Sequence, residues 1–224
     1  MDSPNALYVH IPFCATKCPY CDFNTYAGIE VLMDHYLDAL RTEIGLWGKE
    51  LGSTELETVF FGGGTPSYLP QGAVASLISK TRDSFDFVRN PEITLEANPD
   101  DLNEKKLESF INSGVNRLSI GIQSLEDSLL KTLGRRHSAA EALGAYHMAH
   151  NVGFENISID LMYGLPGQTA NQWSTTLESA LSVEPSHISM YCLTLENGTP
   201  MEHQVSTGSI PIPDDDLAAD MYLM

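Results

Sequence analysis

The chain has 224 residues, of which 42% are apolar and 19% are charged, and this composition fits one globular domain with a sizeable core. Thirty Asp and Glu against twelve Lys and Arg give a net charge of −18, and no Lys or Arg follows Arg136. A protein that binds nucleic-acid phosphates needs a basic surface, and an anionic membrane would repel this chain. We therefore expect small molecules or other proteins as partners.

Targeting signals are not evident. No stretch approaches the roughly 20 uninterrupted apolar residues of a membrane span, and Met1 to Pro4 lack the basic start of a signal peptide. The sequence predicts a cytoplasmic protein, a compartment in which thiols stay reduced. Four cysteines, three of them close together, then point to metal or redox chemistry. Cys192 stands apart and is predicted to be a buried thiol.

Short runs of β-branched and aromatic residues alternate with longer segments of helical period, which is typical of βα units around a parallel sheet. Strands are predicted at 7–12, 58–61, 92–96, 117–122, 157–162 and 187–193. Helices are predicted near 30–48, 71–84, 103–113, 138–152 and 170–183. Gly114 and Gly153 each follow an amphipathic stretch and are expected to end helices. The pattern predicts an α/β fold, a partial (β/α)6 barrel related to the TIM barrel.

The last part of the chain has a different character. Residues 196–200 and 211–213 have the composition of loops, and Asp214 to Asp216 are typical of the acidic start of a helix. We predict a barrel over residues 1–200, with its loop of cysteines at 14–21. Residues 201–224 are predicted to be a linker and the start of a truncated C-terminal region, with a short protein and a frayed tail as the alternative.

Three cysteines, Cys14, Cys18 and Cys21, follow the first predicted strand, at the end where barrel enzymes carry their chemistry. A cubane iron–sulfur cluster takes four ligands, so three thiolates leave one iron open to a substrate. The alternatives are a structural zinc with His10 as its fourth ligand, or three unrelated thiols. Zinc sites usually combine paired Cys-x2-Cys knuckles, and His10 lies within the strand, so the spacing favours the cluster.

Polar or small residues also end the next two predicted strands. Gly62 to Gly64, followed by Thr65, leave the backbone free to approach a ligand closely, with a mere tight turn as the alternative. Glu96 ends the third strand, where a carboxylate can accept hydrogen bonds from ribose hydroxyls. Asn98 and Asp100 lie nearer the following helix and are expected to cap it.

Gln123 follows the fourth strand, and Asp160 lies within the fifth among apolar neighbours. A carboxylate in such surroundings needs a partner. Arg135 could supply that partner, or its planar guanidinium could bind a carboxylate of a ligand. Pairing through Arg136 instead, or exposure of Arg135 to solvent, is the alternative.

The run from Tyr8 through Cys14 to Phe23, together with Phe60-Phe-Gly-Gly-Gly-Thr-Pro66, resembles the radical S-adenosylmethionine (SAM) superfamily. Within it, the chain is similar to the oxygen-independent coproporphyrinogen III oxidase group, including its haem-chaperone branch. The resemblance covers essentially the whole chain. It implies a partial (β/α)6 barrel and a [4Fe-4S] cluster on Cys14, Cys18 and Cys21. It also implies a SAM molecule that chelates the open iron through its amino and carboxylate groups.

The resemblance also suggests roles for the strand-end residues. Positions matching Tyr8, Gly63 and Glu96 contact a first SAM, and Gly64 and Thr65 match contact positions of the same loop. In the oxidases, a second SAM is contacted at the positions matching Tyr20, Gln123, Arg135 and Asp160, and Thr194 aligns with a further contact. Retention of these residues does not by itself establish a second SAM.

Two functions are compatible with this resemblance. In the oxidases, a reduced cluster passes one electron to SAM and cleaves it, and the resulting 5′-deoxyadenosyl radical removes a hydrogen atom from a porphyrinogen propionate, which then loses carbon dioxide. The oxidases carry a further cysteine two positions after the last cluster ligand, and in this chain that position is Phe23. The chain also reaches its first strand almost at once, and its cationic residues are few. We therefore expect a haem chaperone that binds and transfers haem, with acceptor haemoproteins and an electron donor as partners. The alternative is a coproporphyrinogen III oxidase.

Overall fold

A computed structural model of the chain describes residues 5–224. Six parallel strands form one open sheet whose spatial order is the chain order, with β1 and β6 at its edges. The strands are β1 (Ala6–Ile11), β2 (Glu55–Gly63), β3 (Asp86–Ala97), β4 (Arg117–Gln123), β5 (Asn156–Tyr163) and β6 (His187–Cys192). All six predicted strands are present, and the predicted partial (β/α)6 barrel is confirmed.

Helices connect successive strands from β1 to β6, as the right-handed βα rule requires, and two more follow β6. They are α1 (Met33–Leu51), α2 (Ala73–Arg82), α3 (Glu104–Ser113), α4 (Asp127–Thr132), α5 (Ala139–Val152), α6 (Ala170–Leu181), α7 (Pro200–Ser206) and α8 (Asp215–Tyr222). Neither α4 nor α7 was predicted. The six residues of α4 are too few to show a helical period. The start of α7 did carry a signal, because Thr199 caps it, Pro200 occupies its first turn and Glu202 follows.

The two faces of the sheet differ in polarity because successive strand residues point to opposite sides. The face under the helices is apolar, and its core includes fully buried Ile11, Phe61, Leu95, Leu118, Ile120 and Ile159. The concave face carries polar groups at alternate positions, among them Thr94, Glu96, Ser119 and Asp160. The barrel therefore offers a polar interior that opens at the C-terminal ends of the strands.

The helix ends explain much of the local sequence. Gly114 and Gly153 end α3 and α5 with φ of 101° and 116°, the left-handed conformation that favours glycine, so both predicted stops are confirmed. Asn103 caps α3 by accepting a hydrogen bond from the Lys106 backbone N–H. The expectation that Asn98 and Asp100 cap this helix is wrong. Both side chains are engaged elsewhere, Asn98 by Arg135.

Residues 201–224 contain most of α7 and all of α8, and both helices pack on the barrel. Met201 is fully buried beside α4, and the Trp173 indole N–H donates to the Met221 carbonyl at 2.9 Å. Asp214 caps α8, as its acidic start predicts. The further C-terminal region and the division at residue 200 remain predictions.

The structure corrects one more expectation. Cys192 is exposed rather than buried, because it lies on the edge strand β6, whose outer side no strand between residues 5 and 224 covers. Within that range, no helix combines the length and the apolar character needed to cross a membrane.

Candidate functional site

The C-terminal ends of the strands bring the predicted site residues to one side of the barrel. The cysteine loop follows β1, Gly64 and Thr65 follow β2, Asn98 follows β3, and Gln123 ends β4. In parallel sheets these ends are where ligands bind, because the connecting loops converge there. The loops are further joined by hydrogen bonds between their side chains.

The cysteine loop closes on itself through its backbone. The Cys14 N–H donates to the Tyr26 carbonyl at 2.9 Å, and the Tyr26 N–H donates to the Pro12 carbonyl at 2.7 Å. The Lys17 ammonium spans the loop, donating to the carbonyls of Phe23 at 2.9 Å and Thr25 at 3.1 Å. This lysine satisfies two backbone carbonyls that strand pairing does not reach, so the loop has a defined shape.

Each cysteine sulfur has a polar neighbour. The Thr65 hydroxyl donates to Cys14 Sγ at 3.5 Å, and the Thr25 hydroxyl lies 3.8 Å from Cys21 Sγ. The Arg135 Nη1 donates to Cys18 Sγ at 3.6 Å. Burial raises the pKa of the Cys14 thiol, and the hydrogen bonds from the two threonines oppose this rise. Donors of this kind stabilise thiolates that ligate iron.

The zinc alternative requires a fourth ligand at the cysteines, and His10 does not provide it. His10 Nδ1 is 3.1 Å from the Tyr8 hydroxyl, and its Nε2 is 2.9 Å from the Asn24 carbonyl oxygen. Among residues 5–224, no three His, Cys, Asp or Glu side chains converge as the ligands of a single metal ion would. A cubane presents separate iron corners, so its thiolates need not converge on one point.

The glycine loop after β2 is shaped by packing. A Cβ on Gly64 would lie 2.8 Å from the carbonyl oxygens of Ile11 and Phe13, which lead into the cysteine loop. Gly63 has a φ of 113°, and a Cβ there would meet the His10 ring at 2.4 Å. These two glycines are therefore required by the close approach of neighbouring groups. The predicted ligand contact of this loop remains a prediction.

Glu96 faces the glycine loop from β3. Its Oε2 accepts the Gly63 N–H at 3.0 Å. Burial raises the pKa of this carboxyl to about 7, with a smaller contribution from the charge of Asp160, while the Gly63 hydrogen bond opposes the rise. The Glu96 charge also adds to the effect of burial in raising the pKa of Tyr8, which lies nearby on β1. Glu96 is therefore a carboxyl group that titrates near neutral pH beside the glycine loop.

Asp160 lies within β5 on the concave face. Its carboxylate accepts the Ser119 hydroxyl, at 3.0 Å for one oxygen and 3.1 Å for the other. Burial raises its pKa, and hydrogen bonds from Ser119 and Ser189 oppose that rise. The partner that this carboxylate needs is thus supplied by serines. Neither arginine considered from the sequence forms a salt bridge with it.

Arg135 lies where the loops after β3 and β4 meet the cysteine loop. Besides Cys18, its guanidinium donates through Nη2 to Asn98 Oδ1 at 2.6 Å and to the Gly121 carbonyl at 2.7 Å. Its Nε is buried and has no partner among residues 5–224. Arg136 is engaged separately, in ion pairs with Asp100 and Asp101.

Tyr20 and Gln123 lie near this arginine, and Thr194 is the remaining predicted residue. Burial raises the pKa of Tyr20, and the charge of Cys18 and a hydrogen bond with its thiol add to the rise. Gln123 has a φ of 70°, unusual for a residue with a side chain, at a register shift that ends β4. Thr194 is exposed just after β6.

Three residues near the site were missed. Asn98 links Arg135 to Thr65 through a 3.3 Å hydrogen bond, and Thr25 contacts Cys21. Buried His137 binds the Ile122 carbonyl at 3.1 Å and the Asp100 carboxylate at 3.3 Å, next to the left-handed Gln123. Asn98 follows a strand end, which could have been read as a site position. Thr25 carries no comparable signal.

Comparison with known proteins identifies the family. The family described as the Radical SAM superfamily matches residues 8–180, which include the cysteine loop, most of β1 and the whole of β2 to β5. The chain belongs to the radical SAM superfamily.

Several relatives of this radical SAM chain are known. It is 40% identical over 220 residues to the haem chaperone HemW of Bacillus subtilis, a match that covers 96% of this chain and 57% of that protein. It is 43% identical over 217 residues to radical S-adenosyl methionine domain-containing protein 1, mitochondrial, of Mus musculus, covering 97% and 49%. The structure of coproporphyrinogen III oxidase (HemN) from Escherichia coli superposes with a TM-score of 0.89 at 28% identity, covering 99% and 51%. The chain thus spans about half the length of these relatives.

Membership of the superfamily implies SAM and a [4Fe-4S] cluster, and the residues present fit both. Three thiols stand on one loop, and each sulfur has a polar neighbour. The buried, unpartnered Nε of Arg135 is a donor left over beside Cys18, which an anionic ligand would satisfy. Glu96 supplies an acceptor next to the glycine loop.

Proposed function

We propose that this chain is the radical SAM domain of a haem chaperone. The observation that carries the proposal is its identity to HemW, 40% over nearly the whole chain, against 28% to the coproporphyrinogen oxidase. Phe23 supports it, since by resemblance the oxidases carry a further cysteine at this position. Acceptor haemoproteins and an electron donor are the protein partners that the proposal implies.

In this proposal, the thiolates of Cys14, Cys18 and Cys21 would hold the cluster and leave one iron for SAM. When bound and reduced by the electron donor, the cluster would supply one electron to the sulfonium of SAM. Glu96 orients SAM by accepting hydrogen bonds from its ribose, and the loop of Gly63 holds its methionine end. Apolar side chains around the loop help to exclude water, because Tyr20 packs against a buried cluster that includes Leu129, Met162 and Met201.

The second candidate function is oxygen-independent coproporphyrinogen oxidation. The observation in its favour is the superposition on HemN, together with retention of Tyr20, Gln123, Arg135 and Asp160. These residues match the second SAM contacts of the oxidases, and a second SAM is part of this alternative. The Asp160 carboxylate and Gln123 amide would then face that molecule.

The charges near the site favour the chaperone. Coproporphyrinogen carries four propionates, which cationic side chains would stabilise. Here Lys17 is engaged by backbone carbonyls, Lys106 by the Ser67 carbonyl at 2.7 Å, and Arg136 by two aspartates. Arg135 is the exception, because it pairs only with the neutral groups of Asn98 and Gly121 and its buried Nε has no partner among residues 5–224. Positive charge that is free to bind a tetra-anion is therefore scarce on this side of the barrel.

An anaerobic assay distinguishes the two functions. The protein with its cluster reconstituted is incubated either with haem or with coproporphyrinogen III, SAM and a reductant. We expect retention of haem through gel filtration, seen in its absorption spectrum, and no decarboxylation. Release of carbon dioxide from coproporphyrinogen would contradict the chaperone assignment, as would failure to retain haem.

A further inference from the structure

A continuous line of hydrogen bonds joins two of the cysteines through three strand-end loops. Arg135 donates to Cys18 Sγ at 3.6 Å and to Asn98 Oδ1 at 2.6 Å. Asn98 Nδ2 donates to Thr65 Oγ1 at 3.3 Å, and Thr65 donates to Cys14 Sγ at 3.5 Å. In every hydrogen bond of this line, the donor lies on the side of Arg135 and the acceptor on the side of a sulfur. The positive charge of Arg135 therefore polarises the hydrogen bonds to both sulfurs in the same direction.

The guanidinium at the centre of this line has no carboxylate to balance it. Between residues 5 and 224, no carboxylate oxygen lies within 4.0 Å of Arg135. Asp100, the carboxylate whose charge acts on Arg135, is paired with Arg136 and His137. A mostly buried cation without a counter-charge is costly, so an anion is expected beside it. The thiolates and the cluster they hold are the anion that the geometry provides.

The third cysteine differs from the other two. Cys21 Sγ lies 3.8 Å from the Thr25 hydroxyl, a neutral group outside the line that begins at Arg135. The positive charge of Arg135 therefore acts on Cys18 Sγ directly and on Cys14 Sγ through Asn98 and Thr65. Cys21 Sγ has no such link, so the three sulfurs have unequal electrostatic surroundings.

We propose that Arg135, positioned by Asn98, raises the reduction potential of the cluster by stabilising its reduced, more negative state. Hydrogen bonds to the sulfurs and nearby charge are two of the means by which proteins set such potentials. Arg135 acts here through Cys18 and Cys14 as a positioning residue. The inference rests on the cluster of the proposed function and assigns this arginine a role that does not require a second SAM.

A purely structural role for Arg135 gives different expectations. As a link between loops, its removal would lower cluster content or thermal stability, but a cluster that assembled would keep its potential. Lys at this position separates the two roles. It keeps the charge near Cys18 but cannot bridge Asn98, Gly121 and Cys18 with a planar fork.

The test is a redox titration of the reconstituted protein, without SAM, followed by electron paramagnetic resonance of the reduced cluster. We expect Arg135→Gln to lower the ratio of reduced to oxidised cluster about tenfold at a fixed potential, a shift of about 59 mV for one electron. Arg135→Lys should keep the ratio of reduced to oxidised cluster close to that of the wild-type protein. Arg136→Gln removes the same charge from a side chain that contacts no cysteine, and should change the ratio less than threefold.

A second variant keeps the test decisive if Arg135→Gln assembles no cluster. Asn98→Ala leaves the charge in place but removes the link to Thr65 and the partner that fixes the guanidinium. We expect the ratio to fall about threefold. An unchanged potential in Arg135→Gln would overturn the inference, as would equal shifts in Arg135→Gln and Arg136→Gln. If Arg135→Gln holds no cluster, an unchanged potential in Asn98→Ala would overturn it. Lack of a cluster in the wild-type protein would instead contradict the proposed function.

Discussion

Replacing Cys14, Cys18 or Cys21 with Ala is expected to abolish the cluster, whereas the wild-type chain should bind about four irons after anaerobic reconstitution with iron and sulfide. Each substitution leaves one iron without its protein ligand, and two thiolates do not hold a cubane with an open corner. Iron and sulfide analysis of the purified variants, together with the visible absorption of the cluster, measures this.

The fourth cysteine provides the control. Cys192 is exposed on the edge strand β6, away from the cysteine loop, and Cys192→Ala should keep the iron content of the wild type. Loss of iron in this variant would show that the ligand set is wrong. Stoichiometric zinc in protein purified without oxygen would show that the loop is a zinc site.

Glu96→Gln is expected to stabilise the protein at high pH and to weaken SAM binding at the same time. The carboxyl has its pKa raised from 4.5 to about 7 by burial. The folded state therefore binds this proton more tightly than the unfolded state. The protonated carboxyl contributes stability to the fold that is fully present below pH 4.5 and is lost as the pH rises through 7. A neutral amide removes the penalty, so the variant should gain on the order of 2 kcal/mol at pH 8.5 and little at pH 4.5.

The same substitution removes a charged acceptor that we assign to the SAM ribose. Calorimetry at pH 8.5 should show SAM affinity about tenfold lower, since hydrogen bonds to charged groups are the stronger ones. Denaturant unfolding without SAM gives the stability. Glu92→Gln, on the same strand at an exposed position, controls for the loss of one negative charge. A Glu96→Gln protein with wild-type stability at pH 8.5 and wild-type SAM affinity would contradict both roles.

The positions of the strands could be predicted from the sequence, because each strand is a short apolar run between helices with clear ends. Ser138 and Thr169 form capping boxes, and Gly114 and Gly153 adopt left-handed conformations, so local chemistry marks the boundaries. The six residues of α4 show no such period, and the loop-like composition before Pro200 concealed α7. The barrel thus follows from periodicity, whereas short connecting helices depend on tertiary contacts.

The candidate site was predicted only in part, for the same physical reason. Its residues at strand ends could be identified singly, because parallel strands bring their C-terminal ends together. Their pairing could not. Arg135 reaches Cys18, 117 positions away along the chain, and Asp160 takes Ser119 as its partner, 41 positions away. Such choices depend on the three-dimensional register of the barrel.

The glycine loop illustrates a second limit. Three consecutive glycines suggested space for a ligand. In the structure, packing against neighbouring groups also requires glycine in this loop. The oxygens of Ile11 and Phe13 would lie 2.8 Å from a Cβ on Gly64, so the cysteine loop and the glycine loop fit only without that side chain. Sequence alone does not distinguish room for a ligand from room for a neighbouring backbone.

Mössbauer spectroscopy of the protein reconstituted with ⁵⁷Fe, before and after addition of SAM, tests the central claim most directly. Three cysteine ligands predict one iron that differs from the others and takes SAM. About one quarter of the iron should change its isomer shift when SAM binds, while the rest stays unchanged. A spectrum that SAM does not alter, or one that lacks a four-iron cluster, would contradict the account.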